Sequence, residues 1–138
     1  MIEGILTPKE NKDVYNRELL YPIVVTLKST EGQSSSNYGH FFTCDSSYSI
    51  AEIIIVTSTA GTGSIQIEKL TGSQATNSGK KILLNDYNLN ATANVPNYPQ
   101  LINSDAILLS RGDRLGLRVI TSPATIQNLS ITIYLSKK

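Results

Sequence analysis

Apolar and polar residues alternate most regularly at the C-terminal end of the chain. Leu129, Ile131, Ile133 and Leu135 interleave with Ser130, Thr132, Tyr134 and Ser136. Successive side chains of a strand point to opposite faces, so this period of two predicts a strand with one buried face. The same reading holds for residues 114–121, where Leu115, Leu117 and Val119 share a face, and for residues 105–109 before the turn Ser110-Arg-Gly-Asp113. Near the other end, Ile23, Val25 and Leu27 mark a strand over residues 21–28, and residues 38–44 form a second one that turns Phe41 or Phe42 inward. Residues 50–58 are a nearly continuous apolar run bounded by turn residues, which predicts a strand covered on both faces or central in its sheet. Thr59-Ala-Gly-Thr-Gly63 then leads into residues 64–70, where Ile65 and Ile67 alternate with Gln66 and Glu68. The two strands with their glycine turn predict a hairpin. A short strand follows over residues 81–85.

These elements add up to about seven or eight strands separated by short turn-rich segments, the pattern of a sandwich or jelly roll. The predicted fold class is all-β: a single antiparallel β-sandwich, jelly-roll-like, over residues 21–138, preceded by an N-terminal arm or short helix over residues 1–20. Thr7-Pro8-Lys9-Glu10 has the spacing of a capping box, with proline at the first helical position. Val14, Tyr15, Leu19 and Leu20 make a thin apolar stripe, so a helix and an extended arm fit equally. In either form Ile2, Ile5 and Leu6 are candidate anchors that would be buried against a partner. Residues 86–104 are rich in Asn and carry Pro96 and Pro99. A connection of that length in a compact domain points to a functional or interface loop. It carries Tyr87 and Tyr98, which with Tyr134 on the polar side of the last strand are the candidate contact tyrosines, because tyrosine offers amphipathic contact area at low entropic cost.

Composition narrows the function classes. A chain of 138 residues fits one domain that buries roughly two thirds of its unfolded surface without a covalent staple. The formal charge of +1, with Lys and Arg scattered, gives no basic stripe for a run of phosphates, so nucleic acid is not an expected partner. Cys44 is the only cysteine, which rules out an internal disulfide and a thiolate-rich metal site. The first residues lack the basic and apolar regions of a signal peptide, and no apolar stretch approaches the ~20 residues of a membrane-spanning helix. The expectation is a soluble protein made in a cytoplasm.

The short motifs have structural readings. Arg111-Gly-Asp113 is an adhesion tripeptide elsewhere, but here it lies between two strands, where Gly-Asp serves a turn that needs positive φ. Asp86-x-Asn88-x-Asn90 begins like a calcium loop, yet Ala91 stands where the bend needs glycine and Asn97 where a bidentate glutamate should close the site. Gly61-Thr-Gly63-Ser64 lacks the third glycine and the helix of a phosphate loop. His40 and Cys44 fall on one face of a strand but about 13 Å apart at strand rise, beyond proton-transfer reach. No catalytic residue, metal ligand or cofactor site is predicted. The sequons Asn90-Ala-Thr92 and Asn128-Leu-Ser130 carry no weight without a secretory signal.

From Glu52 to the C-terminus the order of motifs resembles small all-β virion structural proteins of tailed bacteriophages, found as capsid decoration, head-fibre or tail-associated subunits. The residues that carry the resemblance are Thr59-Ala-Gly-Thr-Gly63, Glu68-Lys-Leu-Thr-Gly72, Ala91-Thr-Ala-Asn94, Gly112-Asp-Arg-Leu-Gly116 and Ile131-Thr-Ile-Tyr-Leu135. The resemblance implies a non-enzymatic virion subunit, auxiliary on the capsid, that associates with copies of itself, with a trimer favoured, and with other virion proteins such as the major capsid protein. It leaves residues 1–48 unmatched. The alternative expectation is a host-surface or carbohydrate-binding domain of a tail protein, using residues 86–104 to hold surface glycans.

Overall fold

The computed structural model describes residues 23–29, 38–121 and 128–138. Among them are nine strands, β1 (Ile23–Ser29), β2 (Phe42–Thr43), β3 (Tyr48–Thr57), β4 (Ser64–Leu70), β5 (Lys80–Lys81), β6 (Tyr87–Asn88), β7 (Leu108–Leu109), β8 (Arg114–Thr121) and β9 (Leu129–Lys137), with one 3₁₀ turn at Asp105–Ile107. They form two antiparallel sheets, ordered β1-β9-β3-β7 and β2-β8-β4-β5, with β6 also paired to β4. Strands pair from the chain ends inward: β1 with β9, β2 with β8, β3 with β7, and β4 with β5. That is a long hairpin rolled up on itself, the jelly-roll order. Eight strands follow this path and β6 is an addition to it, so the count exceeds the seven or eight expected.

The alternation read from sequence places the core. Ile131, Ile133 and Leu135 of β9, Ile65 and Ile67 of β4, Leu115 of β8 and Ile55 of β3 have no exposed surface. Each of the two sheets contributes one apolar face, and the two faces close on each other. Ile23 and Val119, expected inside, are only half-buried. In β3 the run of apolar residues is resolved by a register shift between Ile50 and Glu52. The extra residue, Ala51, changes the parity of the strand, so Tyr48 and Ile50 point inward before it and Ile53 and Ile55 after it. Ile54 and Val56 face outward and are half-buried. The strand is central, flanked by β9 and β7, rather than sealed on both faces.

The predicted hairpin over residues 50–70 is not formed. β3 and β4 lie in opposite sheets, and the segment between them crosses from one layer to the other. Glycine at positive φ is needed for either route, and Gly63 has φ 91, so the local signal does not separate them. The Ser110–Asp113 turn likewise joins β7 to β8 across the layers. Its Asp113 N donates to Ser110 O at 3.0 Å, and Gly112 takes φ 91. Residues 105–109 were expected as a strand; a 3₁₀ turn takes their first half because the Ser104 hydroxyl accepts from Ala106 N, and the Lys69 ammonium donates to the carbonyls of Asp105 and Leu108. Of residues 38–44 only Phe42 and Thr43 are extended, since residues 38–40 turn over the face of β8. Gly116 makes room for that turn: a Cβ there would collide with the Gly39 carbonyl. The strand expected over residues 81–85 shrinks to Lys80–Lys81, followed by a single bridge from Leu83 to Leu101.

Candidate functional site

β4 is where the site begins. β5 ends at Lys81, Ile82 N still donates to Ile67 O at 2.9 Å, and at Leu83 the Gln66 side chain takes over as partner. Its Oε1 accepts from Leu83 N at 2.7 Å and Ile67 N at 3.1 Å, and its Nε2 donates to Leu83 O and to Asp86 Oδ1, both at 3.1 Å. The amide is fully buried and uses its whole hydrogen-bonding capacity, as a buried polar group must to offset desolvation. The result is a fixed bend that aims Asp86 at the surface. Lys81 Nζ, 3.3 Å away, flanks the same carboxylate oxygen.

After the bend, Tyr87 and Asn88 return to β4 as β6, opposite Ile65 and Ser64. The chain then crosses to the other sheet. Asn97 exchanges two backbone hydrogen bonds of 2.9 Å with Ile55 of β3, and its Nδ2 donates to the Tyr87 hydroxyl at 3.1 Å. Residues 86–104 are therefore a strap tied to both layers. The segment has little secondary structure of its own, but its backbone is anchored at Leu89, Asn94, Asn97 and Ile102 as well.

Between these ties lies an open groove of about 340 Å³, lined by Asn85, Asp86, Tyr87, Asn88, Ala91, Asn97, Tyr98, Pro99 and Gln100. Tyr98 stands on it with 63% of its surface exposed, the most exposed large hydrophobic side chain among the described residues. Tyr87 is only 7% exposed, so it forms a wall and offers its hydroxyl rather than a contact surface; burial raises the pKa of that phenol. Asn88 Oδ1 accepts from Asn90 N at 2.8 Å, which closes a tight polar turn where a calcium loop had been considered.

The structure thus brings two of the sequence-predicted tyrosines, Tyr87 and Tyr98, into one groove. Tyr134 lies elsewhere, on the outer face of the β1-β9-β3 sheet, opposite Val24 on one side and Glu52 on the other. Ile2, Ile5 and Leu6 lie outside the described residues. Asn88 and Asn97 enter the sequence reading only as positions of a calcium loop that fails, and Gln66 only as a polar residue of an alternating strand. Gln66 sits at an alternating polar position and reads as solvent-facing until the chain folds over it.

The remaining motifs are structural. Asp113 is 8% exposed, its carboxylate accepts from Ser110 N at 2.8 Å, and its backbone carbonyl accepts from Cys44 N, so the tripeptide's acid is enclosed in its own turn. Cys44 is buried, and desolvation, aided by the charges of Asp113 and Asp45, pushes its thiol up to about 11. A thiol held protonated is a poor nucleophile. His40 is exposed, with Nδ1 3.3 Å from the Arg114 guanidinium. Among the described residues no three His, Cys, Asp or Glu side chains are gathered to hold a metal ion, and no helix is long and apolar enough to cross a membrane. Comparison with protein-family models, curated proteins and solved structures finds no match.

Proposed function

We propose that the chain is a non-enzymatic structural subunit of a tailed-phage virion, an auxiliary capsid decoration or head-fibre subunit that works as an assembly of identical copies, most favourably a trimer. The motif order from Glu52 onward supports the virion setting. The observation that carries self-association is the outer face of the β1-β9-β3 sheet. Across that face the rows run Val24, Tyr134, Glu52; then Thr26, Thr132, Ile54; then Lys28, Ser130, Val56. Val24 is 51% exposed, and Ile54, Val56 and Tyr134 are half-buried. The centre is apolar or hydroxyl-bearing, and the two charged residues stand at opposite corners. An uncharged centre with aromatic and aliphatic side chains is the anatomy of a subunit contact. Lys28 and Glu52 at opposite corners give the contact one charge of each sign for pairing with neighbouring copies. Residues 1–20 are the proposed docking segment toward the major capsid protein.

The test is the protein content of purified phage particles whose genome encodes the chain. The chain should co-sediment with heads after tails are removed, at a copy number that is a multiple of its oligomer. A chain found in infected-cell extract but missing from particles would contradict the proposal.

A further inference from the structure

We infer that the groove between Asp86 and Gln100 is a binding site for a neutral saccharide. The inference is independent of the virion setting, and it rests on how the polar atoms of the groove are already spent. Gln66 Nε2 and Lys81 Nζ both approach Oδ1 of Asp86. Asn88 uses its Oδ1 on Asn90 N, which leaves its Nδ2 to donate. Asn97 uses its Nδ2 twice, on the Tyr87 hydroxyl and on the Val95 carbonyl, both at 3.1 Å, which leaves its Oδ1 to accept. The Tyr87 hydroxyl accepts from Asn97 and keeps its own proton to give.

The lining therefore offers both acceptors, the Asp86 carboxylate and the Asn97 carbonyl, and donors, the Asn88 amide and the Tyr87 hydroxyl, with Asn97 and Tyr87 in direct contact. Neighbouring sugar hydroxyls each donate once and accept, which is the pattern such pairs satisfy. Tyr98 adds an exposed ring face, onto which the apolar C–H face of a pyranose packs. A groove of about 340 Å³ is the size of a small-ligand site, with convergent polar groups fixing orientation. Its rigidity comes from beneath, because fully buried Gln66 holds Asp86 and the Ile55 backbone holds Asn97. Pre-set polar groups bind without the entropy loss of ordering them first.

Charge selects among sugars. Among the described residues the only charged one lining the groove is Asp86, and Lys81 offsets it from one side. Among the described residues no cationic side chain lines the groove to receive a carboxylate or sulfate, so sialylated and sulfated glycans find no partner there for their charge.

The experiment is a glycan array probed with the full-length protein, covering neutral, sialylated and sulfated oligosaccharides, followed by titration of the best neutral hit with amide shifts read by NMR. We expect saturable binding of neutral glycans, with shifts at residues 86–100. Tyr98→Ala, whose side chain is exposed and leaves the fold intact, should weaken binding at least about tenfold, a loss of the size seen for a single aromatic contact. Asp86→Asn, which keeps the shape and can still be held by Gln66, should also weaken it. Both variants should still enter particles, which separates this site from the virion proposal. Three results would overturn the inference: no neutral glycan bound on the array with no shift in the groove at millimolar sugar, binding unchanged in Tyr98→Ala, or binding restricted to sialylated or sulfated glycans.

Discussion

At the scale of single residues, two buried groups make the account checkable. Thr57 stands at an inward position of β3 with no exposed surface, and among the described residues its hydroxyl has no hydrogen-bond partner. An unsatisfied buried hydroxyl costs on the order of 1–3 kcal/mol. Thr57→Val keeps the shape and removes that cost, so chemical denaturation should show a gain of about 1 kcal/mol. Cys44 gives a pH dependence. Its thiol ionises near 9.0 when unfolded and at about 11 when folded. Between those values the unfolded state has released the proton and the folded state has kept it, so stability falls as pH rises through this window and is unaffected below it. Cys44→Ala should flatten that part of the stability profile measured from pH 8 to 11. The same burial should keep Cys44 unalkylated at pH 8 in the native protein and reactive once it unfolds. Sequence spacing separates Cys44 from His40, but only the fold shows Cys44 buried, with its backbone paired to the Gly112–Asp113 turn.

At the scale of elements, legibility followed the period. β8 and β9 were readable to within a residue or so: the alternation of β9 runs unbroken and matches the core face, and that of β8 holds at Leu115 and Leu117 before Val119 becomes half-buried. β3 was readable as a strand but not in its facing, since the Ala51 bulge changes parity midway and erases any single period. The two-residue strands β2, β5, β6 and β7 carry no period at all, and their pairing comes from the strands they meet. Strand partnership was the largest miss. A glycine turn between two apolar segments fits a hairpin and a crossing between sheets alike, and what decides is the distant strand that claims each one: β9 for β3 and β8 for β4. The loop over residues 86–104 was marked as functional from its length and composition, yet its shape depends on Gln66, whose burial leaves no trace in a two-residue period. β9 is an inner strand of the four-stranded sheet and joins β1 to β3. Ile133 at its centre is fully buried, and Ile133→Ala should cost about 2–5 kcal/mol by denaturant titration. A comparable truncation at Tyr134, on the outer face of the same strand, should cost far less stability.

At the scale of the whole molecule, the fold separates two surfaces with different chemistry. The β1-β9-β3 outer face is the proposed contact between identical copies, and the groove of the strap is the proposed site for a hydroxyl-rich ligand. A jelly roll supports both virion and lectin roles, so the fold alone does not choose between them. The surfaces can be tested apart. Val24→Glu replaces the most exposed apolar side chain of that face, 51% exposed, with a charge and should weaken self-association at least about tenfold, read by sedimentation equilibrium, while leaving glycan binding unchanged. A chain that is monomeric at micromolar concentration in both forms would remove the face from the argument. The most direct measurement is a cryo-electron microscopy map of the phage head at a resolution that traces strands. The account predicts jelly-roll density on the outer surface, in symmetric clusters joined through β1, β9 and β3, with residues 1–20 against the major capsid protein. A head surface without this density, in particles shown to contain the chain, would contradict it.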